Sequence, residues 1–142
     1  MKIGELARAA RCSTQTVRFY ERAGLLPAAQ RSSNNYRSYS PTHLERLRFI
    51  RNCRSLDMTH EEIRGLLAGL DAPQKGCGAI NALLDEHIGH VEARIEELRE
   101  LKAQLTRLRA QCQSEPSSAD CGILQGLTDL KVQRTARQTH LG

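Results

Sequence analysis

The chain has no tryptophan, and aromatic residues make up 4% of its 142 positions. So few rings argue against a large β-sheet core, which draws on aromatic and β-branched packing. No apolar run approaches the roughly 18–20 residues that span a bilayer. The opening Met1-Lys2-Ile3-Gly4-Glu5-Leu6-Ala7 holds no apolar stretch of signal-peptide length. No membrane partner and a cytoplasmic location are therefore expected. The five cysteines include no Cys-x-x-Cys pair. An odd count without an export signal points to reduced thiols rather than a disulfide framework. No internal repeat or low-complexity tract is visible.

What the chain does have is charge, unevenly placed. The net charge of +5 is compatible with a nucleic-acid partner and proves nothing alone. Residues 1–56 carry 11 Lys and Arg against 3 Asp and Glu, a balance of +8; residues 57–142 carry 10 against 13, a balance of −3. Ten of the 11 N-terminal cations are arginine, the residue suited to bidentate phosphate and guanine contacts. A basic binding module followed by a neutral-to-acidic second module would look like this.

The spacing predicts a mainly α fold. Ile3, Leu6, Ala7 and Ala10 give a short helix, and Ser13 is an N-cap for a second from about Thr14 to Ala23, which Gly24 stops. Two short helices across a tight turn, residues 3–23, form a helix-turn-helix. The second helix carries Thr14, Gln15, Thr16, Arg18 and Tyr20, polar groups of the kind that reach base edges or phosphates. Residues 25–40 read as a β-hairpin wing around Asn34-Asn35. Ser40-Pro41 starts a helix over 41–56, with Leu44, Leu47, Phe49, Ile50, Cys53 and Leu56 inward. Thr59 and Glu62 form a capping box for a helix over 59–70, with Ile63, Leu66, Leu67 and Leu70 inward. Residues 1–72 are thus expected to form one module, a helix-turn-helix followed by a wing and two further helices.

After a linker, residues 77–112 predict one long helix. Positions 77, 80, 84, 87, 91, 94, 98, 101, 105, 108 and 112 form a heptad seam that only His87 and Arg94 interrupt. Such a face needs a second copy, so a coiled-coil homodimer is expected. Residues 113–120 are loop chemistry, Cys121 opens a short helical turn with Ile123, Leu124 and Leu127, and residues 128–142 read as a flexible tail.

The cysteines pose a geometric problem. Cys77 and Cys112 share the seam but lie 35 positions apart, about 52 Å along a helix. In a parallel dimer Cys77 faces its twin. In an antiparallel dimer each Cys77 meets the partner's Cys112, and Cys121 can fold back to the same place. Three thiolates are a soft set that selects Cd(II), Pb(II), Hg(II), Cu(I) or Zn(II) over hard ions. Alternatively Cys77 and Cys112 are small packing residues, as Cys12 and Cys53 are read to be. His87 and His90, three apart, form a possible second site or a packed pair, and His140 is read as solvated. A thiol enzyme pairing Cys77 with His87 fails, because ten helical residues separate them by about 15 Å.

Several segments together resemble the MerR family of transcription regulators: IGELA, TVRFYERAGLL, the wing ending NYRSY, and HLERLRFIRNCRSLDMTHEEI. The second half, CGAINALLDEHIGHVEARIEELRELKAQL with LRAQC and CGILQGL, is similar to its cadmium- and lead-responsive branch. The resemblance implies a winged helix, an antiparallel dimerisation helix and a metal-binding loop within residues 113–127. It implies a homodimer on a palindromic operator in double-stranded promoter DNA, which metal binding distorts so that RNA polymerase engages the promoter. It carries DNA contact onto Arg18, Tyr20, Arg31, Tyr36, Arg37 and Arg54, with Thr14 and Gln15 as candidates for base edges. It carries metal ligation onto Cys77 of one chain with Cys112 and Cys121 of the other.

The copper branch has Ser at the place of Cys77. The zinc branch has extra Cys or His in the loop, which residues 113–120 lack. Lead-branch tails add cysteines that residues 122–142 do not contain, cadmium-branch tails are often richer in histidine, and the mercury branch shares the three-cysteine spacing. Cd(II) is favoured, then Pb(II), with Hg(II) or Zn(II) as alternatives. A thiol redox regulator joining Cys112 to Cys121 is the competing reading within DNA-binding proteins.

Overall fold

The computed structural model describes residues 1–112 and 121–131. The loop read at 113–120 and the tail from 132 lie outside the described residues. The chain forms two compact units, Met1–Asp85 and Glu86–Gly142. The fold is mainly helical, with one two-stranded sheet.

In the first unit, α1 (Ile3–Ala9) and α2 (Thr14–Arg22) are joined by a turn in which Arg11 takes φ +57. Ser13 caps α2: its Oγ accepts the Thr16 N–H at 3.1 Å, satisfying one of the open amides of a helix start. Gly24, at φ +76, turns the chain out of α2, and Leu25 and Leu26 drop into the core. The wing is smaller than its span suggested. Only β1 (Gln30–Arg31) and β2 (Arg37–Ser38) pair, antiparallel, with Gln30 opposite Ser38 and Arg31 opposite Arg37. Asn35 supplies the left-handed turn residue at φ +65.

Helix α3 (Pro41–Ser55) has proline in its first turn, where no intrahelical N–H is needed. The Ser40 N–H donates to His43 Nδ1 at 3.1 Å, which leaves the His43 proton on Nε2, donating to the Ala28 carbonyl at 3.2 Å. Helix α4 (His60–Asp71) begins with a reciprocal box: Thr59 Oγ1 accepts the Glu62 N–H at 3.1 Å, and Glu62 Oε1 accepts the Thr59 N–H at 2.9 Å.

Leu6, Val17, Leu25, Leu26, Leu47, Ile50 and Ile63 are fully enclosed where α1 to α4 meet. Each such burial contributes about 1.5–3 kcal/mol. Leu56 and Leu70, expected inward, are exposed. Leu56 is the C-cap of α3, just before Asp57 turns at φ +60, and Leu70 lies in the last turn of α4, so both sit at helix ends beyond the core's edge. A short 3-10 turn, Pro73–Lys75, leads into α5 (Gly78–Ala110). The first turns of α5 dock on α4 at Gly65 and Gly69, where Leu83 and Ile80 fill the space that a Cβ would need.

The second unit contains the rest of α5 and α6 (Gly122–Asp129). Helix α6 extends past residue 128, so the segment read as tail begins inside it. Along α5, Leu84, Ile88, Val91, Ile95, Leu98, Leu101 and Leu105 are all exposed. The seam residue Leu108 differs: it is buried, and Gly126 of the same chain lies against it. Arg94, a polar break in the seam, pairs with Glu97 one turn on at 3.3 Å. No described helix is long and apolar enough to cross a membrane.

Candidate nucleic-acid interface and metal centre

Helix α2 turns Val17 and Tyr20 inward and leaves Gln15, Arg18, Phe19 and Arg22 outward. Together with Arg54 near the end of α3 and His60 at the start of α4, they line an open groove of about 750 Å³. Three arginines and no carboxylate stand along it. Such a surface attracts a polyanion and repels a cationic partner. Arg54 is braced by donating to the Met58 carbonyl at 2.6 Å.

Of the residues read as DNA contacts, Gln15, Arg18 and Arg54 are brought together in this groove. Tyr20 lines it too and is 6% exposed, its ring packed edge-on against Phe19 and His60, so it also serves the core. Thr14, half-buried at the first position of α2, is not among the lining residues.

Arg31, Tyr36 and Arg37 stand exposed on the wing, Tyr36 at 72%. Arg31 and Arg37 are directly opposite across the strands. Like charges so placed oppose the pairing, and an anion between them reverses that. Arg31 also donates to Asn35 Oδ1 at 2.9 Å, which ties it to the turn. The base of the wing is fixed to α2 because the Tyr39 hydroxyl donates to the Glu21 carboxylate. Burial and that hydrogen bond push the Tyr39 hydroxyl pKa up to about 12. Sequence reasoning missed Arg22, Phe19 and His60 as groove residues. For His60 the sole signal was its place one residue after the Thr59 cap.

In the second unit, α6 folds back on the end of α5 and brings Cys121 to Cys112. Gly122 makes the approach possible: a Cβ there would run into the backbone carbonyl of Gln111. Cys121 is the N-cap residue of α6. The backbone N–H groups of Leu124 and then Ile123 face its sulfur and lower its pKa, although neither closes into a full capping bond, and the Cys112 thiol adds a further lowering contact. A sulfur so placed favours the thiolate, the metal-binding form.

Cys77 lies in the first unit, exposed immediately before α5, its carbonyl accepting the Asn81 N–H at 2.9 Å. Cys12 and Cys53 pack with the core, and burial raises both thiols, as befits inert packing residues. No disulfide joins any of the five. His87 and His90 are one turn apart on α5, ring centroids 6.3 Å apart and edge-on.

Comparison with known proteins decides the family. Residues 1–70 match the MerR HTH family of regulatory proteins, and residues 44–108 match the MerR DNA-binding family. The chain belongs to the MerR family. This MerR-family chain is 47% identical over 109 residues to a ZntR-homologue transcriptional regulator of Haemophilus influenzae, covering 77% of this chain and 81% of that one. Among solved structures it is similar to the transcription regulator PbrR691 of Ralstonia metallidurans in complex with lead(II), with 53% identity and a TM-score of 0.80 over 89% of this chain and 98% of that chain. It is also similar to a dual-function MerR regulator of Bacillus megaterium in complex with mercury(II), with 27% identity and a TM-score of 0.73 over 91% and 100%. MerR-family proteins are DNA-binding transcription regulators rather than enzymes.

Proposed function

We propose that this MerR-family chain is a metal-responsive transcription regulator. As a homodimer it binds a palindromic operator in double-stranded promoter DNA, and a bound soft metal ion makes it distort that DNA so that RNA polymerase engages the promoter. The observation that carries the reading is the convergence of Cys112 and Cys121 at the start of α6, made possible by Gly122. Two adjacent thiols with one lowered toward the thiolate suit a soft cation and suit Mg(II) or Ca(II) poorly. A third ligand comes from the partner subunit's Cys77, which the exposed stripe of α5 supports, since that stripe calls for a second copy.

Pb(II) is the first candidate ion and Cd(II) the second, because the 53% identical regulator is held with lead(II). This reverses the order favoured from the tail composition. In this reading Arg18, Arg31, Tyr36, Arg37 and Arg54 hold phosphates, while Gln15 and Thr14, at the start of α2, serve the base edges.

A mixed dimer tests the split site. One chain carries Cys77→Ser and the other Cys112→Ser, and the expected stoichiometry is one metal ion per dimer. One end loses both mutated ligands while the other keeps its full set. Zero tightly bound ions, counted by thiolate-to-metal charge-transfer absorption, would refute the cross-chain arrangement.

Arg18→Ala tests the reader. It is expected to weaken operator affinity about tenfold, the order of one lost charge-assisted contact, and to reduce the salt dependence of binding. Unchanged affinity at physiological salt removes Arg18 from the interface. A thiol-redox regulator would use the same Cys112–Cys121 pair, and metal-dependent transcription in excess reductant tells the two apart.

A further inference from the structure

His60, like Phe19 and Arg22, lines the groove without being among the contacts that the family resemblance implies. It opens α4, next to the capping Thr59. Its ring lies 5.3 Å from the Phe19 ring and 5.9 Å from the Tyr20 ring, so two aromatic rings of α2 fix where the imidazole stands. Its remaining surroundings are cationic. Arg18 and Arg22 of α2 and Arg54 of α3 line the same groove, and Arg64 lies one turn along α4. Glu61, its neighbour in sequence, is exposed on α4 and does not line the groove.

We propose that His60 is a further phosphate contact of the operator and enters the complex as imidazolium, so that each protomer takes up one proton when it binds DNA. The inference rests on the DNA-binding reading above. In the unbound protein two influences favour the neutral ring: partial burial against the aromatic rings, and then the positive charges of Arg54 and Arg64. Both hold its pKa below the ordinary histidine value of 6.5. A phosphate seated among Arg18, Arg54 and His60 reverses the electrostatic part. It cancels the arginine field and offers the imidazolium an anionic acceptor.

The sign follows directly. The pKa is low in the free protein and higher in the complex. Affinity therefore rises as pH falls through the interval between the two values, and the dependence fades above it. A neutral imidazole among arginines would also spare the free protein one more like charge in an already crowded groove.

The experiment uses full-length protein and a fluorescently labelled duplex that the protein has itself selected from a random-sequence pool. Binding is followed by anisotropy at pH 8.0 and pH 6.0 at constant ionic strength, for the natural chain, His60→Gln and His60→Lys. The natural chain is expected to bind several-fold more tightly at pH 6.0, within the limit of tenfold per pH unit for each proton taken up. His60→Gln should lose most of that gain. His60→Lys, cationic throughout, should bind at both pH values about as well as the natural chain binds at pH 6.0. His43, His87 and His90 do not line the groove, and any contribution that the remaining histidines make stays in both variants.

If His60→Gln keeps the full pH dependence, or the natural chain shows none, the proposal is overturned while the DNA-binding reading stands. If no duplex is selected at any pH, the DNA-binding reading itself falls, and this inference with it.

Discussion

Cys112→Ser is expected to abolish metal-dependent transcription while leaving operator binding within about twofold of the natural chain. The two halves of that expectation come from different places in the molecule. Cys112 lies just beyond the end of α5, next to Cys121, so its loss removes a ligand from the pair that α6 assembles. A serine hydroxyl is a hard, neutral oxygen and does not replace a thiolate for a soft ion. Binding energy that would otherwise bias the dimer's geometry is then no longer available. The groove lined by Gln15, Arg18 and Arg54 belongs to the first unit, built on α2, α3 and α4, and none of its residues is altered. In vitro transcription with added Pb(II) or Cd(II), run beside operator titration, checks both halves. Metal-stimulated transcription from the mutant would show that the ion binds elsewhere.

The second large effect concerns α5. Leu98→Glu with Leu101→Glu is expected to convert the dimer into monomers and to reduce operator affinity to that of a single half-site. Leu98, Leu101 and Leu105 line a shallow groove on α5, and each is about half exposed in a single chain. In a two-fold assembly the double change removes four buried leucines. At about 1.5–3 kcal/mol each, that amounts to roughly 6 kcal/mol or more, before the cost of burying carboxylates. A loss of that size weakens association by a factor on the order of 10⁴. Sedimentation gives the oligomeric state, and far-ultraviolet circular dichroism verifies that helices remain. A stable dimer would mean that the exposed stripe of α5 is not the interface.

Much of the reader could be seen in the sequence because its signals are local. Ser13, Ser40-Pro41 and Thr59 with Glu62 announce helix starts through side chains that reach backbone groups within three residues. Gly24 and Asn35 announce turns through φ values that few residues accept. The features that escaped depend on what lies across space. Leu56 and Leu70 fit the helical period, yet the core ends before it reaches them. Leu108 fits the heptad period, yet α6 of its own chain covers it.

His60 drew no notice because periodicity does not show that the first residue of one helix meets Phe19 and Tyr20 of another. Gly122 carries no signal in the sequence beyond its place after Cys121, and its function is apparent only beside the Gln111 carbonyl. The three thiols stand out in the sequence, but the proposed division between two chains rests on a resemblance and not on spacing.

On the proposed split site, the exposed stripe along α5 also ties the response to gene dosage. If each metal site needs thiols from two chains, the ion binds only the associated form, and by mass action it pulls scattered chains together. The metal level at which the promoter switches on then depends on how many copies of the protein a cell holds. Cells making less of it need more metal to respond, and cells making more respond at a lower threshold. Expression level becomes a second dial on the alarm, set independently of the chemistry of the cysteines.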